Sequence, residues 1–234
     1  MQEADYNSSC ITSNQEGIHP KLEDIVTKHL NSQFRRPIAE HTQLAFDNIK
    51  EQVEASLKSN HASLIFDSCC GTALSTRKIA QMNPQSLVIG IDRSIKRLSK
   101  EYSESIPSNV ILVQAECSDF WRLALQSGWR LDKHFLLYPN PYPKSSHLKR
   151  RWHAHPVYPS LLALGGCLEL RTNWLLYAEE FIAALAIKNT KDTTVLSRLE
   201  IFVPDDYLTL FEKKYHRSGQ ELYRCLLDLN HGIT

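Results

Sequence analysis

Ser63-Leu64-Ile65-Phe66-Asp67-Ser68-Cys69-Cys70-Gly71-Thr72-Ala73-Leu74 is the stretch that decides the fold of this chain. Ser63 to Phe66 is a short apolar run that turn residues close off. From Leu74 to Met82 the polarity becomes helical, and a second aliphatic run follows at Leu87 to Ile91. That order is strand, helix, strand. Downstream the rhythm continues with a helix from Ser94 to about Tyr102 and a strand at Val110 to Val113. Further strands are expected at Phe135 to Tyr138, Cys167 to Leu170 and Val195 to Phe202, with helices at Asp119 to Gln126 and Leu175 to Ile187. Strands alternating with helices predict an α/β fold with a doubly wound, mostly parallel sheet covered on both faces. The final run, Glu221 to Leu229, is expected to pair antiparallel at or near one edge.

Upstream, Leu44, Ala45, Ile49, Val53 and Leu57 recur at three- and four-residue steps and predict a helix of about five turns beginning near Ile38. Phe34-Arg35-Arg36-Pro37 reads as a boundary, because proline can open a helix. Residues 1–36 are therefore expected to form a polar N-terminal arm, and residues 37–234 one Rossmann-like domain.

Composition narrows the class. The chain has 234 residues, 42% hydrophobic and 23% charged, so it can bury a core without staples and is neither disordered nor fibrous. No apolar run approaches the length of a membrane helix, and the opening MQEADYNSSC has no secretory pattern. A cytoplasmic protein without a membrane partner is expected. The formal charge is only +1, so an anionic partner must be met by a local patch. Cys10, Cys69, Cys70, Cys117, Cys167 and Cys225 show neither a C-x-x-C pair nor metal-ligand spacing with histidine, and they read as reduced thiols with no metal.

Two readings fit the turn after Phe66: a structural tight turn, or a cradle in which small side chains let backbone N–H groups and Asp67 approach a ligand. Asp92 favours the cradle, because it directly follows the second strand, where an acid accepts hydrogen bonds from ribose hydroxyls. Glu116 follows the third strand, where an acceptor meets an adenine amino group. Asp67, Asp92 and Glu116 thus follow three successive strands. This half resembles the S-adenosylmethionine-dependent methyltransferases of the Rossmann-like class. The first and third glycines of their D-x-G-x-G-x-G motif correspond here to Cys69 and Ala73, and the second to Gly71. The resemblance implies a sheet of the class I methyltransferase type and S-adenosylmethionine held by Asp67, Gly71, Asp92 and Glu116.

Between Asp132 and Glu169 there is no acidic residue, while Lys133, Lys144, Lys149, Arg150 and Arg151 are present with four histidines and five prolines. Tyr138, Tyr142, Trp152 and Tyr158 are interleaved. Cations hold phosphates and aromatic faces stack bases, so this stiff loop suits RNA; a solvated basic loop fits the same composition. Its string Tyr138-Pro139-Asn140-Pro141-Tyr142-Pro143-Lys144-Ser145-Ser146-His147-Leu148-Lys149-Arg150-Arg151 resembles F-P-D-P-W-x-K-x-x-H-x-K-R-R of the tRNA (guanine-N7)-methyltransferase family. Thr172-Asn173 with Tyr177-Ala178 is similar to that family's T-D-x-x-x-Y-A, and Thr209-Leu210-Phe211-Glu212 to its T-x-F-E.

The resemblance implies methyl transfer to a guanine N7 in tRNA. Asn140 would stand at the catalytic position and beside the cofactor, and Lys144, Asn173, Thr209 and Glu212 would orient the acceptor. Lys149, Arg150 and Arg151 would grip the RNA backbone. Asn140 and Asn173 stand where the family has Asp, and each removes a carboxylate. Two other functions therefore stay open: a paralogue that methylates another RNA position or a small molecule, and a non-catalytic RNA-binding protein.

Overall fold

A computed structural model describes residues 6–59, 63–103, 105–188 and 195–230. Seven strands form one sheet: β1 (Ser63–Ser68), β2 (Ser86–Asp92), β3 (Val110–Gln114), β4 (Lys133–Leu137), β5 (Cys167–Thr172), β6 (Leu196–Ile201) and β7 (Tyr223–Asp228). Their spatial order is β3-β2-β1-β4-β5-β7-β6. The first five are parallel, and β7 lies antiparallel between β5 and β6, one place in from the edge. All seven expected strands form, as does the expected mixed topology.

The chain runs from β1 outward to β3, then returns to β4 on the other side of β1, so the strand order reverses between β1 and β4. Ligands in such sheets bind at that reversal, beyond the carboxyl ends of the strands. Alternation along the strands feeds two cores. Leu64, Phe66, Ile89 and Leu136 join a large cluster with Phe46, Phe120, Trp121, Trp129 and Phe181. Ile65, Val88, Phe135 and Leu137 join a smaller one with Ile79, Ala80 and Leu208. The helices are α1 (Leu22–Leu30), α2 (Glu40–Ser59), α3 (Leu74–Met82), α4 (Ile95–Leu98), α5 (Cys117–Gln126), α6 (Tyr158–Ala163), α7 (Leu175–Lys188) and α8 (Leu210–Arg217). Among the described residues, no helix is long and apolar enough to cross a membrane.

Three expectations change. Within residues 1–36, read as a polar arm, α1 buries Leu22 and Val26 in the large core. Leu22, Ile25, Val26 and His29 follow the i, i+3, i+4, i+7 pattern of an amphipathic helix. The helix expected from Ser94 to Tyr102 stops at Leu98, its one buried residue, and Tyr102 instead turns its hydroxyl to Thr72 Oγ1 at 2.6 Å. On α2 the expected Val53 is buried and Ala45, Ile49 and Leu57 pack partly buried against the large core, but Leu44 is exposed and Thr42 and Phe46 are buried in its stead.

Candidate active site

At the end of β1 the backbone does what the glycines of D-x-G-x-G-x-G permit. Cys69, Gly71 and Ala73 have φ of +61°, +60° and +60°. All three glycine positions are left-handed, and in this chain two of them carry a β-carbon. A left-handed L-residue costs about 1–2 kcal/mol, against the roughly 0.4–1 kcal/mol of unfolded-chain entropy that glycine adds. At the exposed Cys69, where little packing is lost, Cys69→Gly is therefore expected to raise stability by about 0.5–1 kcal/mol. A urea midpoint below the parent's would contradict this account of the turn.

Asp67 is fully buried beneath the turn. Its Oδ2 accepts from Ser75 Oγ at 2.6 Å and Thr76 Oγ1 at 2.7 Å, while Oδ1 has no hydrogen-bond partner among the described residues. Gly90 makes the Thr76 contact possible, because a β-carbon there would lie 2.6 Å from Thr76 Oγ1. Burial pushes the Asp67 carboxyl up to about 6, with Ser75 and Thr76 working against it. Asp92, also buried, receives the Gly71 N–H on Oδ2 at 2.9 Å and the Ser94 N–H on Oδ1 at 2.8 Å. Arg97 pairs with Oδ1 at 2.8 Å. Asp92 thus shapes the turn and retains lone pairs for a ligand. Glu116, half-buried before α5, makes no side-chain hydrogen bond or ion pair among the described residues. Next to it, Cys117 Sγ lies 3.5 Å from Cys69 Sγ, and both remain thiols. An orphaned buried carboxylate oxygen, an unpaired acid and an open turn together fit a cationic ligand that carries hydroxyl and amino groups.

The adjacent wall is the turn after β4, which pairs with β1 in the register Ser68↔Leu136. Tyr138 and Tyr142 are left-handed, with φ of +52° and +46°. Asn140 between them is exposed, and its Oδ1 accepts the Tyr142 N–H at 3.3 Å. This Asx turn occupies one lone pair of the amide oxygen and leaves Nδ2 without a hydrogen bond among the described residues. Lys144, Lys149 and Arg150 are exposed just beyond.

Other residues expected to touch the acceptor serve the framework. Arg151 has no exposed surface: Nη1 pairs with Glu180 Oε2 at 2.5 Å, while Nε and Nη2 donate to the Tyr142 carbonyl at 3.3 and 3.1 Å. It cannot grip a phosphate. Arg151 is the extended residue between two 3₁₀ turns, 145–150 and 152–154, and it is buried together with Leu148, His153 and Ala154. Thr209 caps α8 by accepting the Glu212 N–H at 2.9 Å. Glu212, fully buried, accepts from Arg171 Nη1 at 2.9 Å, from Leu208 N at 3.0 Å and from the Tyr138 hydroxyl at 3.1 Å. T-x-F-E here supplies the N-cap of α8 and a buried ion pair, and the Glu212 carboxylate is spent inside the fold. Asn173 is half-buried and donates to Gln220 Oε1 at 2.7 Å; Gln220 in turn donates to the Ser8 carbonyl.

Glu180 escaped the sequence reading. Yet it shares the core face of α7 with Tyr177, Phe181 and Ala184, and an acid on such a face signals a buried partner. Its Oε1 accepts from Gln15 Nε2 at 2.7 Å and His19 N at 3.0 Å, and its Oε2 from His153 Nε2 at 3.0 Å. Burial would raise this carboxyl, but the hydrogen bonds from His153 and Gln15 and the charge of Arg151 hold it down at about 2.

A likeness to solved structures accompanies this geometry. The 16S rRNA methyltransferase KamB is 15% identical with a TM-score of 0.54, covering 82% of this chain and 95% of that one. A 16S rRNA (adenine(1408)-N(1))-methyltransferase variant from Catenulisporales acidiphilia, solved with cosubstrate SAM, is 15% identical with a TM-score of 0.52, covering 79% and 91%. These establish the fold. In sequence the chain is similar to proteins named tRNA (guanine-N(7)-)-methyltransferase. The one from Ralstonia pickettii (strain 12J) is 28% identical over 69% of this chain and 65% of its own length. That from Lactococcus lactis subsp. cremoris (strain MG1363) is 26% identical over 66% and 75%. The match thus spans about two thirds of the Ralstonia protein. The family model described as "Putative methyltransferase" matches residues 61–225, from the first strand of the sheet into the last, and the chain belongs to that family.

Proposed function

We propose that this chain transfers the methyl group of S-adenosylmethionine to N7 of a guanine in tRNA. The observation that carries the reading is the pairing of β1 with β4: it sets the left-handed turn over Asp67 beside the turn that bears Asn140. The names of the relatives support the acceptor, and the solved neighbour's cosubstrate supports the methyl donor. When bound, S-adenosylmethionine supplies an electrophilic methyl on a sulfonium. Asp92 and Glu116 would accept from ribose and adenine, and Asp67 Oδ1 would face the cationic end.

Guanine N7 offers a lone pair with no proton to remove, so the protein's task is alignment rather than general-base catalysis. Asn140 Nδ2 would donate to O6, the acceptor beside N7. Its neutral amide does not offset the positive charge that grows on the base. An aspartate at 140 would still accept the Tyr142 N–H and would add that compensation. Asn140→Asp is expected to raise the single-turnover rate roughly tenfold, equivalent to about 1.4 kcal/mol. Incubation with labelled S-adenosylmethionine and unmodified bulk tRNA, followed by nucleoside analysis, tests the reading. Label in another nucleoside, or none, would reject the N7 assignment.

RNA binding is expected to rest on Lys149 and Arg150, both exposed, and not on Arg151. Replacing both with alanine should reduce the slope of log affinity against log salt by roughly 1.5–2. An unchanged slope would mark them as an ordinary solvated surface.

A further inference from the structure

We propose that two buried arginine–glutamate pairs, Arg171–Glu212 and Arg151–Glu180, are positioning residues that hold the Tyr138–Tyr142 turn in the conformation from which Asn140 meets its acceptor. The proposal rests on the reading of that turn as the acceptor side of the site.

The turn is Tyr138-Pro139-Asn140-Pro141-Tyr142-Pro143. Three prolines remove three backbone donors, so the segment has few hydrogen bonds with which to hold itself. Two bulky residues are nevertheless left-handed, at φ +52° and +46°, an arrangement that persists only where the surroundings impose it.

Each strained tyrosine is tied to one of the pairs. Tyr138 donates its N–H to the Arg171 carbonyl at 2.8 Å and its hydroxyl to Glu212 Oε2 at 3.1 Å. Tyr142 gives its carbonyl to two nitrogens of the Arg151 guanidinium. The anchors lie outside the turn. Glu212 belongs to α8 and Arg171 to β5, while Glu180 belongs to α7 and is also held by Gln15, His19 and His153. The Arg151 guanidinium, 4.9 Å from the centre of the Trp174 ring, further ties this turn to the loop that carries Asn173.

Stability alone does not call for such pairs. Both glutamates are fully buried, and well-packed apolar residues commonly stabilise a core as much as a buried ion pair does. What an apolar residue cannot supply is a fork of donors on a carbonyl or an acceptor for a hydroxyl. Those are the contacts made to the two tyrosines, one on each side of Asn140.

The test uses Arg151→Lys, which keeps the charge beside Glu180 but loses the planar fork on Tyr142. Arg151→Met with Glu180→Leu serves as a second variant, because it removes the pair without leaving a lone buried charge. Amide hydrogen exchange at Tyr138, Asn140 and Tyr142 is measured in whichever variants keep the parent's cooperative unfolding, together with S-adenosylmethionine affinity by calorimetry and single-turnover methylation of tRNA. The expected result is exchange at Tyr142 at least tenfold faster, unchanged cofactor affinity and a methylation rate at least tenfold lower. Parent-like exchange at Tyr142, or a methylation rate within twofold of the parent's, would overturn the proposal. A parent that methylates no guanine N7 would reject the functional reading, while the exchange data would still decide whether the Arg151–Glu180 pair holds the turn.

Discussion

Glu212→Ala is expected to cost about 3–5 kcal/mol of folding stability, the usual penalty for removing one partner of a buried ion pair. Glu212 has no exposed surface and takes hydrogen bonds from Arg171, Leu208 and Tyr138. Its loss leaves the Arg171 guanidinium with Glu169 alone, at 2.6 Å, and strips the start of α8 of an acceptor. The contrast is Glu54→Ala. The Lys50–Glu54 pair is 3.9 Å long between side chains 42% and 35% exposed, and it should contribute less than about 0.5 kcal/mol. Urea denaturation of the two variants side by side checks the claim. Equal losses would mean that the Glu212 network is no more than surface electrostatics.

The second large effect is acid sensitivity through His134. This residue of β4 is fully buried, with Nε2 at 2.8 Å from Ser68 Oγ and no partner on Nδ1 among the described residues. Ser68 also receives the Trp121 indole N–H at 2.9 Å. Burial pushes the imidazole from 6.5 down to about 3, so between those values the unfolded chain binds a proton that the folded chain refuses. Stability then falls with pH by about 1.4 kcal/mol per unit below 6.5, which amounts to about 2 kcal/mol between pH 7 and pH 5. Asp67 works in the opposite sense. Its folded value, raised from 3.8 to about 6, makes a contribution that is present at low pH and lost as pH rises through that window. The His134 effect is therefore isolated by comparison with His134→Gln, whose stability should decline about 2 kcal/mol less than the parent's over the same interval. Identical declines would show that His134 is charged in the fold.

The strands were legible because a buried parallel strand is a short apolar run between turn residues, as Leu64 to Phe66 and Leu87 to Ile91 show. The acids at 67, 92 and 116 were legible because strand ends fix their places. Burial of charge was not. Lys149, Arg150 and Arg151 are three adjacent cations, and the third turns inward beside Leu148 at the extended residue between two 3₁₀ turns, a break that the run of cations does not show. Thr209 and Glu212 match a family string, but a string does not distinguish a substrate contact from a helix cap; the hydrogen bond of 2.9 Å from the Glu212 N–H to Thr209 shows the cap. The left-handed backbone at Cys69 and Ala73 was hidden for a different reason, because neither residue type advertises positive φ as glycine would.

The place of β7 has a consequence for synthesis. Among the described strands β6 pairs only with β7, so Leu196–Ile201 emerges from the ribosome with no neighbour and waits for Tyr223–Asp228. The same delay reaches the site. Glu212 follows Tyr138 by 74 residues, in the helix between these two strands, so the turn is made long before the carboxylate that pins it. A nascent chain can fold the part from β1 to β3 early, whereas the turn that bears Asn140 is set only when translation has passed β7.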